Sequence, residues 1–200
     1  MILPSIIATS QEELNERISK IKNNFSVFHL DIMDGKFVNN KSLDFNFKLL
    51  DGKYEAHLMV ENPEEWVDEN LGKVDTVIVH IESLTIPHKL IQFVHDNDKK
   101  IGFAINPETS IDEFDMFIDD LDLVLLMTVV PGQYGAAFVP EVVEKIKEIH
   151  SKKPDLVIEV DGSINADTIN KVREAGASRF VIGSYLQRAD SIREALDSLQ

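Results

Sequence analysis

The stretch LPSIIATSQEELNERISKIKNNFSVFHLDIM, residues 3–33, decides the fold because it contains a strand, a helix and a second strand in succession. Its two ends are apolar runs typical of buried strands. Its middle, SQEELNERISKI, repeats apolar residues at helical spacing behind Ser10, a favoured N-cap residue. A strand–helix–strand unit of this length predicts two parallel strands joined by a crossover helix.

The same unit recurs along the whole chain. We predict strands that start near Ile2, Phe25, Tyr54, Thr76, Lys100, Leu123, Leu156 and Arg179. The predicted helices between them are SQEELNERISKI, NPEEWVDENL, PHKLIQFVHDND, SIDEFDMFIDDL, PEVVEKIKEIHSK, NADTINKVREAG, SIREALDSL and, with the least regular pattern, SLDFNFKLL. Eight units predict an α/β fold, a (β/α)₈ TIM barrel that forms a single domain over residues 1–200. An open doubly wound sheet is the alternative, but no GxGxxG dinucleotide fingerprint follows the first strand.

Composition excludes several classes of partner. The 200 residues carry a net charge of −15, which disfavours nucleic acid and anionic membrane surfaces. No apolar run approaches the roughly 20 residues of a membrane span, and the N-terminus lacks the features of a signal peptide, so we expect a cytoplasmic protein. Cysteine is absent, which removes disulfides and thiolate chemistry. A small anionic metabolite remains compatible, because backbone N–H groups or a metal ion can outweigh a distant negative field.

Polar residues inside the predicted strands indicate a site. Both faces of a barrel strand should be apolar, yet HLDIM places His29 and Asp31 on one face, and His57 and Asp161 lie near the ends of two other strands. Active sites of this barrel are built at those carboxyl ends. Two imidazoles and two carboxylates that converge there require compensation, which one divalent ion (Zn²⁺, Fe²⁺, Mn²⁺ or Co²⁺) would provide.

Other polar and sulfur-containing residues have a structural interpretation beside a functional one. His80 fits a hydrogen-bonded structural residue, and Asp34, before Gly35, fits a turn residue. Three methionines at strand ends, Met33, Met59 and Met127, are either core filler or a polarisable wall around the metal.

Gly-Ser pairs mark a possible anion site. In this barrel, phosphate commonly binds at the loops after the last two strands. Those loops read VDGSIN (160–165) and VIGSYL (181–186), and the preceding loop, VVPGQYGAAF, adds Gly132 and Gly135. Each Gly-Ser pair could equally be an ordinary turn, or its N–H groups could hold phosphate oxygens.

Nine segments in order, spanning nearly the whole chain, resemble the ribulose-phosphate 3-epimerase family. They are LPSII, HLDIMDGKFV, AHLMVENP, VHIES, INPETS, LVLLMTVVPG, FVPEV, IEVDGSINADTI and AGASRFVIGS. The resemblance implies an isomerase of carbohydrate metabolism in the pentose phosphate pathway, with a phosphosugar substrate and a homo-oligomeric state.

The resemblance also implies roles for particular residues. His29, Asp31, His57 and Asp161 match the family's metal ligands, and Asp31 and Asp161 also match its acid–base pair. The remaining matches are to substrate-contacting positions: Ser5, His57, Met33, Met59, Met127, Gly132, Gly135, Gly162, Ser163, Gly183 and Ser184. The implied reaction is the interconversion of D-ribulose 5-phosphate and D-xylulose 5-phosphate by two-base proton transfer through an enediolate.

The chain departs from the family's pattern at two loops. DGKFVNN stands where the family usually has DGHFVPN, and PGQYGAA replaces a Gly-rich PGFGGQ, with Gln133, Tyr134, Ala136 and Ala137 in the altered positions. VDGS rather than VDGG also occurs in the related allulose-6-phosphate 3-epimerases. An epimerase for a six-carbon ketose phosphate, or a barrel that binds metal or sugar phosphate without turnover, therefore remain alternatives. Decarboxylases and aldol-type synthases of this barrel group use lysine–aspartate arrays, which the strand ends here lack.

Overall fold

A computed structural model describes residues 1–132 and 135–199. Its centre is a closed barrel of eight parallel strands, which confirms the predicted fold class. The strands are β1 (Ile2–Ile6), β2 (Val27–Asp34), β4 (Lys53–Met59), β5 (Thr76–His80), β6 (Lys100–Ile105), β7 (Leu123–Met127), β8 (Val157–Asp161) and β9 (Arg179–Ile182). β1 closes the barrel by pairing with β2 on one side and with β9 on the other. The two-residue strand β3 (Lys41–Ser42) pairs antiparallel with the end of β2.

Helices cover the outside of the barrel. They are α1 (Gln11–Ile21), α2 (Pro63–Asn70), α3 (Pro87–Asp96), α4 (Val142–Lys152), α5 (Ile169–Ala175), α6 (Ser184–Gln187) and α7 (Ile192–Asp197). α1 begins as its sequence predicts, because the Ser10 side chain accepts a hydrogen bond from the Glu13 N–H and the Glu13 carboxylate accepts one from the Thr9 N–H. Its buried face, Leu14 and Ile18, packs in the layer between strands and helices.

Two predicted helices are wrong. SIDEFDMFIDDL forms two short 3₁₀ turns, Ile111–Glu113 and Asp115–Phe117. Three buried residues of that segment, Ile111, Phe114 and Phe117, are three apart, a spacing that a 3₁₀ turn places on one face. SLDFNFKLL is irregular instead, because β3 pairing occupies Ser42 and Leu43 takes a positive φ of 52° while its N–H bonds to the Ala8 carbonyl.

The barrel interior is divided into an apolar half and a polar half. The apolar half is formed on the β5–β7 side by Ile78, Ala104, Leu123, Leu125, Met127 and Val129. It is so tightly packed that a Cβ on Gly102 would lie 2.6 Å from Leu123 Cγ. The polar half is formed by β2, β4, β8 and β9, which contribute His29, Asp31, Glu55, His57, Glu159, Asp161 and Arg179. Among the residues with described positions, no helix is long and apolar enough to cross a membrane.

Candidate metal and acid–base centre

Four side chains that the sequence singles out come together at one end of the barrel. His29 and Asp31 lie on β2, His57 lies beside Asp31 in the register of β4, and Asp161 ends β8. One ligand-type atom from each lies within 4.8 Å of the others. His29 Nε2 is 3.4 Å from Asp31 Oδ1, and His57 Nδ1 is 3.5 Å from Asp31 Oδ1 and 3.6 Å from Asp161 Oδ2.

Three atoms of this cluster are buried without a hydrogen-bond partner, namely His29 Nε2, Asp31 Oδ1 and His57 Nδ1. A buried polar atom without a partner costs about 1–3 kcal/mol, so three in one cluster require an explanation. Two imidazole nitrogens and two carboxylate oxygens form a donor set that suits Zn²⁺, Fe²⁺, Mn²⁺ or Co²⁺. The four residues can therefore hold a metal ion.

A layer of charged side chains lies two strand positions before His57 and Asp161, level with His29. The Arg179 guanidinium from β9 bonds Glu55 through Nη2 and lies 2.9 Å from Glu159 Oε2 through Nε. Glu55 Oε1 accepts from His29 Nδ1 at 2.7 Å, which orients the ring so that Nε2 faces Asp31. His29, Glu55 and Glu159 also meet the distance criterion for a metal site, but the guanidinium already supplies their positive charge.

The sequence interpretation missed Glu55 and Arg179. The signal that could have found them is their spacing, because Glu55 precedes His57 by two positions and therefore shares its face of the strand. Glu159 precedes Asp161 in the same way and pairs in register with Arg179. Both carboxyls lie in the barrel interior beneath the candidate centre.

The two aspartates have opposite protonation tendencies. Burial alone would raise the pKa of Asp31, but the imidazoles of His29 and His57 lower it well below its usual value. Burial and the negative charge of Asp31 raise the pKa of Asp161 to about 8. Without a metal ion, these opposite shifts favour the ionised form of Asp31 and the protonated form of Asp161 near neutral pH.

The pKa values of the two imidazoles are also shifted in opposite directions. Burial opposes the charged form of His29, but the carboxylates of Asp31, Glu159 and Glu55 raise its pKa well above the usual value. Burial lowers the pKa of His57 to about 4 despite the nearby Asp31. Metal binding must therefore displace a proton from His29 but none from His57.

A cavity of about 130 Å³ opens beside the two aspartates. Its lining includes the predicted site residues Ser5, Asp31, Gly135, Asp161, Gly162, Ser163, Gly183 and Ser184. Ser5 Oγ donates to Asp31 Oδ2, and so it holds the carboxylate in place. A groove of about 700 Å³ lies outside the barrel, beside α2, but the four ligand-type residues do not line it. We place the candidate site at the smaller cavity because both aspartates of the cluster line it.

The turn after β8 has left-handed backbone at both residues of its Gly-Ser pair. Gly162 has a φ of +116°, and a Cβ there would clash with the Val129 side chain. Ser163 also has a positive φ, 50°, and its hydroxyl donates to the Ala136 carbonyl at 2.5 Å. Thr128 donates through its backbone N–H to the Asp161 carbonyl at 2.7 Å, which fixes the end of β8.

The methionines and the remaining glycine do not line that cavity. Met33 and Met59 are buried together with Val38, whereas Met127 packs in the apolar half of the barrel. Gly132 lies against Val38, and its carbonyl accepts from the Asn40 side chain. Gln133 and Tyr134 lie outside the described residues.

Two residues with a structural interpretation behave accordingly. Asp34 accepts hydrogen bonds from the N–H groups of Lys36 (2.8 Å), Phe37 (3.1 Å) and Glu61 (2.8 Å), which confirms it as a turn residue. His80 is fully buried and lies 2.9 Å from His57 through their Nε2 atoms.

The fold and the site define a barrel enzyme whose candidate centre combines paired carboxyl groups with two imidazoles. The sequence model described as "Ribulose-phosphate 3 epimerase family" matches residues 1–187, and the chain belongs to this family. It is therefore an isomerase of the epimerase type.

Curated relatives match over the full length. The ribulose-phosphate 3-epimerase of Bacillus subtilis is 34% identical over 211 aligned positions, which cover 100% of this chain and 97% of the relative. The ribulose-phosphate 3-epimerase of Schizosaccharomyces pombe is 29% identical and is covered to 92%, with 100% of this chain aligned.

Solved structures with low sequence identity share the barrel. The 3-hexulose-6-phosphate synthase of Salmonella typhimurium has a TM-score of 0.72 at 11% identity, covering 99% of this chain and 95% of that one. The orotidine 5′-monophosphate decarboxylase of Sulfolobus solfataricus has a TM-score of 0.65 at 11% identity, with coverages of 99% and 94%. At this identity the likeness concerns the fold alone. No lysine is among the buried residues described here.

Proposed function

We propose that this chain interconverts D-ribulose 5-phosphate and D-xylulose 5-phosphate by a metal-dependent, two-base 3-epimerisation. Family membership supports a pentose phosphate epimerase. The single observation that carries the mechanism is the placement of the two carboxyl groups, since Asp31 on β2 and Asp161 on β8 lie 3.5 Å and 3.6 Å from the same atom, His57 Nδ1.

The reaction removes a proton from one face of the carbon next to a ketone and returns one to the other face. A single base reaches only one face, so one ionised and one protonated carboxyl group are needed. The lowered pKa of Asp31 keeps this carboxyl ionised and able to accept a proton, and the raised pKa of Asp161, about 8, keeps that carboxyl protonated and able to donate one. Because β9 and β1 separate β8 from β2, the two carboxyl groups reach the cavity from different directions. In the reverse reaction the two groups exchange roles.

His29, Asp31, His57 and Asp161 would hold one divalent ion. When bound, such an ion acts as a Lewis acid that stabilises the negative charge that the substrate acquires as an enediolate. Ser5 keeps Asp31 oriented. The turns at Gly162–Ser163 and Gly183–Ser184 offer N–H groups to the substrate phosphate, whose remote binding holds the sugar in register with both carboxyl groups.

The test compares Asp31→Asn and Asp161→Asn with Asp75→Asn. Asp75 is a suitable control because it is a hydrogen-bonded aspartate at the other end of the barrel. Its carboxylate accepts a hydrogen bond from the Tyr54 N–H at 2.9 Å, at the start of β4. We expect each active-site change to lower kcat for ribulose 5-phosphate by about 10²–10⁴-fold, and the control to leave it within about twofold. An active-site variant that keeps more than about a tenth of the activity would refute the two-base scheme.

Isotope exchange sharpens this test. In deuterated water, each variant should still exchange the C3 hydrogen of the one epimer that faces its intact carboxylate, without forming the other epimer. Parallel kinetics on allulose 6-phosphate decide between five- and six-carbon substrates, and wild-type protein that binds substrate without any exchange would identify a non-catalytic barrel.

A further inference from the structure

We propose that His80 and Glu82 are positioning residues that hold His57 with its proton on Nε2, so that the Nδ1 lone pair is available to a metal ion. The inference rests on the proposed function only in taking His57 as a metal ligand. His57 and Glu82 do not touch, so His80 connects the two.

The hydrogen-bond chain has a fixed direction. His80 Nδ1 lies 3.1 Å from Glu82 Oε2, and an ionised carboxylate only accepts, so His80 Nδ1 carries the proton. With its proton on Nδ1 facing Glu82, His80 has its lone pair on Nε2, which is therefore the acceptor. His57 Nε2 lies 2.9 Å from that atom and must be the donor. A neutral His57 with its proton on Nε2 has its lone pair on Nδ1.

The free nitrogen is the one that faces the candidate metal centre. His57 Nδ1 has no hydrogen-bond partner, and its distances of 3.5 Å to Asp31 and 3.6 Å to Asp161 exceed ordinary hydrogen-bond length. A proton on Nδ1 would point at these two carboxyl groups and block metal binding. The 2.9 Å contact with His80 favours the other tautomer.

The surroundings keep both positioning residues in place. Glu82 Oε1 accepts from the Asn106 N–H at 2.8 Å and from the Thr109 hydroxyl at 2.5 Å, so the second carboxylate oxygen is anchored to the chain after β6. The His80 ring is fully buried, its plane lies at 23° to that of His57, and it packs against Phe37 at 4.8 Å between ring centroids. The Glu82 carboxylate therefore acts on His57 through a rigid intermediate.

The two imidazoles of the centre are thus oriented in different ways. His29 donates directly to a carboxylate, that of Glu55, whereas His57 reaches a carboxylate only through a second imidazole. Partners of this kind typically change metal affinity 10–100-fold when removed. We expect an effect of this size at His80.

The experiment uses the full chain with three changes and a matched control. His80→Phe keeps a planar ring but removes the acceptor, His80→Gln restores an acceptor through its amide oxygen, and Glu82→Gln removes the charge that sets the direction. The control is His95→Phe, because His95 also forms a 3.1 Å pair with a carboxylate, that of Asp122, away from the barrel interior.

The first measurement is made without metal. In protein labelled with ¹⁵N-histidine, the ring nitrogen signals should show His57 protonated at Nε2 and bare at Nδ1 in the wild type, with both tautomers populated in Glu82→Gln. A wild-type signal for a proton on Nδ1 of neutral His57 overturns the inference, whatever the enzyme's activity.

The second measurement is the affinity for Zn²⁺ and Co²⁺ by chelator competition. We expect His80→Phe to weaken binding 10–100-fold, His80→Gln to recover most of that loss, and His95→Phe to match the wild type. Unchanged affinity in His80→Phe, or a loss that His80→Gln does not recover, overturns the positioning role. Wild-type protein that binds the ions but does not epimerise ribulose 5-phosphate refutes the proposed function alone, and protein that binds neither ion overturns both.

Discussion

Arg179 offers the sharpest test of how the barrel interior is stabilised. Its side chain is 15% exposed and contacts two carboxylates, Glu55 at 1% and Glu159 at 0% exposure. Arg179→Met keeps much of the apolar stem but removes the only guanidinium in this cluster. Removal of one partner from a buried ion pair costs about 3–5 kcal/mol, because the other charge stays buried without compensation.

The residues around Arg179 keep the expected loss of folding free energy near the lower end of the range of about 3–5 kcal/mol, for two reasons. Burial and the charge of Glu55 raise the pKa of Glu159 to about 7, so this carboxyl can accept a proton when the arginine is lost. Glu55 keeps His29 as a partner at 2.7 Å. We therefore expect the free energy of unfolding to fall by about 3 kcal/mol, which at a urea slope of about 2 kcal/mol/M lowers the midpoint by about 1.5 M.

Urea unfolding in the presence of a chelator measures this change without a metal contribution. Arg17→Met is the control, because Arg17 pairs with Glu13 where both side chains are 33% exposed, and such pairs contribute about 0–1 kcal/mol. The double variant Glu55→Gln/Arg179→Met should lose about 2 kcal/mol less folding free energy than the two single variants lose together. An Arg179→Met midpoint no lower than that of Arg17→Met would refute a buried charge layer that depends on arginine.

Three further outcomes are expected. Burial alone would raise the pKa of Glu82, but His80 and the Asn106 N–H lower it from 4.5 to about 2. The ionised form therefore stabilises the fold above about pH 4.5, and Glu82→Gln should cost about 1–2 kcal/mol at pH 7, because solvent screens this partly exposed carboxylate, and little near pH 2; a cost independent of pH in urea unfolding contradicts this. Gly162→Ala should destabilise by about 1–3 kcal/mol in thermal unfolding, and Val129→Ala in the same chain should recover part of it, since the clash is with that side chain. Zn²⁺ at about 100 times its Kd should stabilise the protein by about 2.7 kcal/mol in calorimetry, an effect that a chelator reverses; identical unfolding with and without the ion would count against a metal centre.

The sequence predicts the strands well because a barrel strand is covered on both sides and so is apolar for its whole length. β5, TVIVH, and β7, LVLLM, are unmistakable for that reason. The outer segments are harder to predict, because one apolar residue every third or fourth position fits both an α-helix and a 3₁₀ turn. Ile111, Phe114 and Phe117 fit both, and local hydrogen bonds decide between them.

The centre is predictable where polar residues interrupt an apolar strand near its carboxyl end. His29, Asp31, His57 and Asp161 stand out in this way, and the structure brings them together. The contact between Glu55 and Arg179 joins residues 124 positions apart on strands that are not neighbours in the barrel. No pattern in one sequence indicates which side chains meet across the interior. The direction of the His57–His80 hydrogen bond is also not predictable from the sequence, because it depends on Glu82, whose position is set by the loop after β5.

The closure of the barrel between β1 and β9 has a consequence for biosynthesis. A nascent chain that has left the ribosome as far as α4 already contains three of the four ligand-type residues, but it lacks Asp161, Arg179 and the strand that seals the wall. More than half of the chain separates His57 from Asp161, and contacts so distant in sequence form late. Assembly of the four ligand-type residues must therefore follow release of nearly the whole polypeptide, and until then the emerging strand edges depend on protection from aggregation.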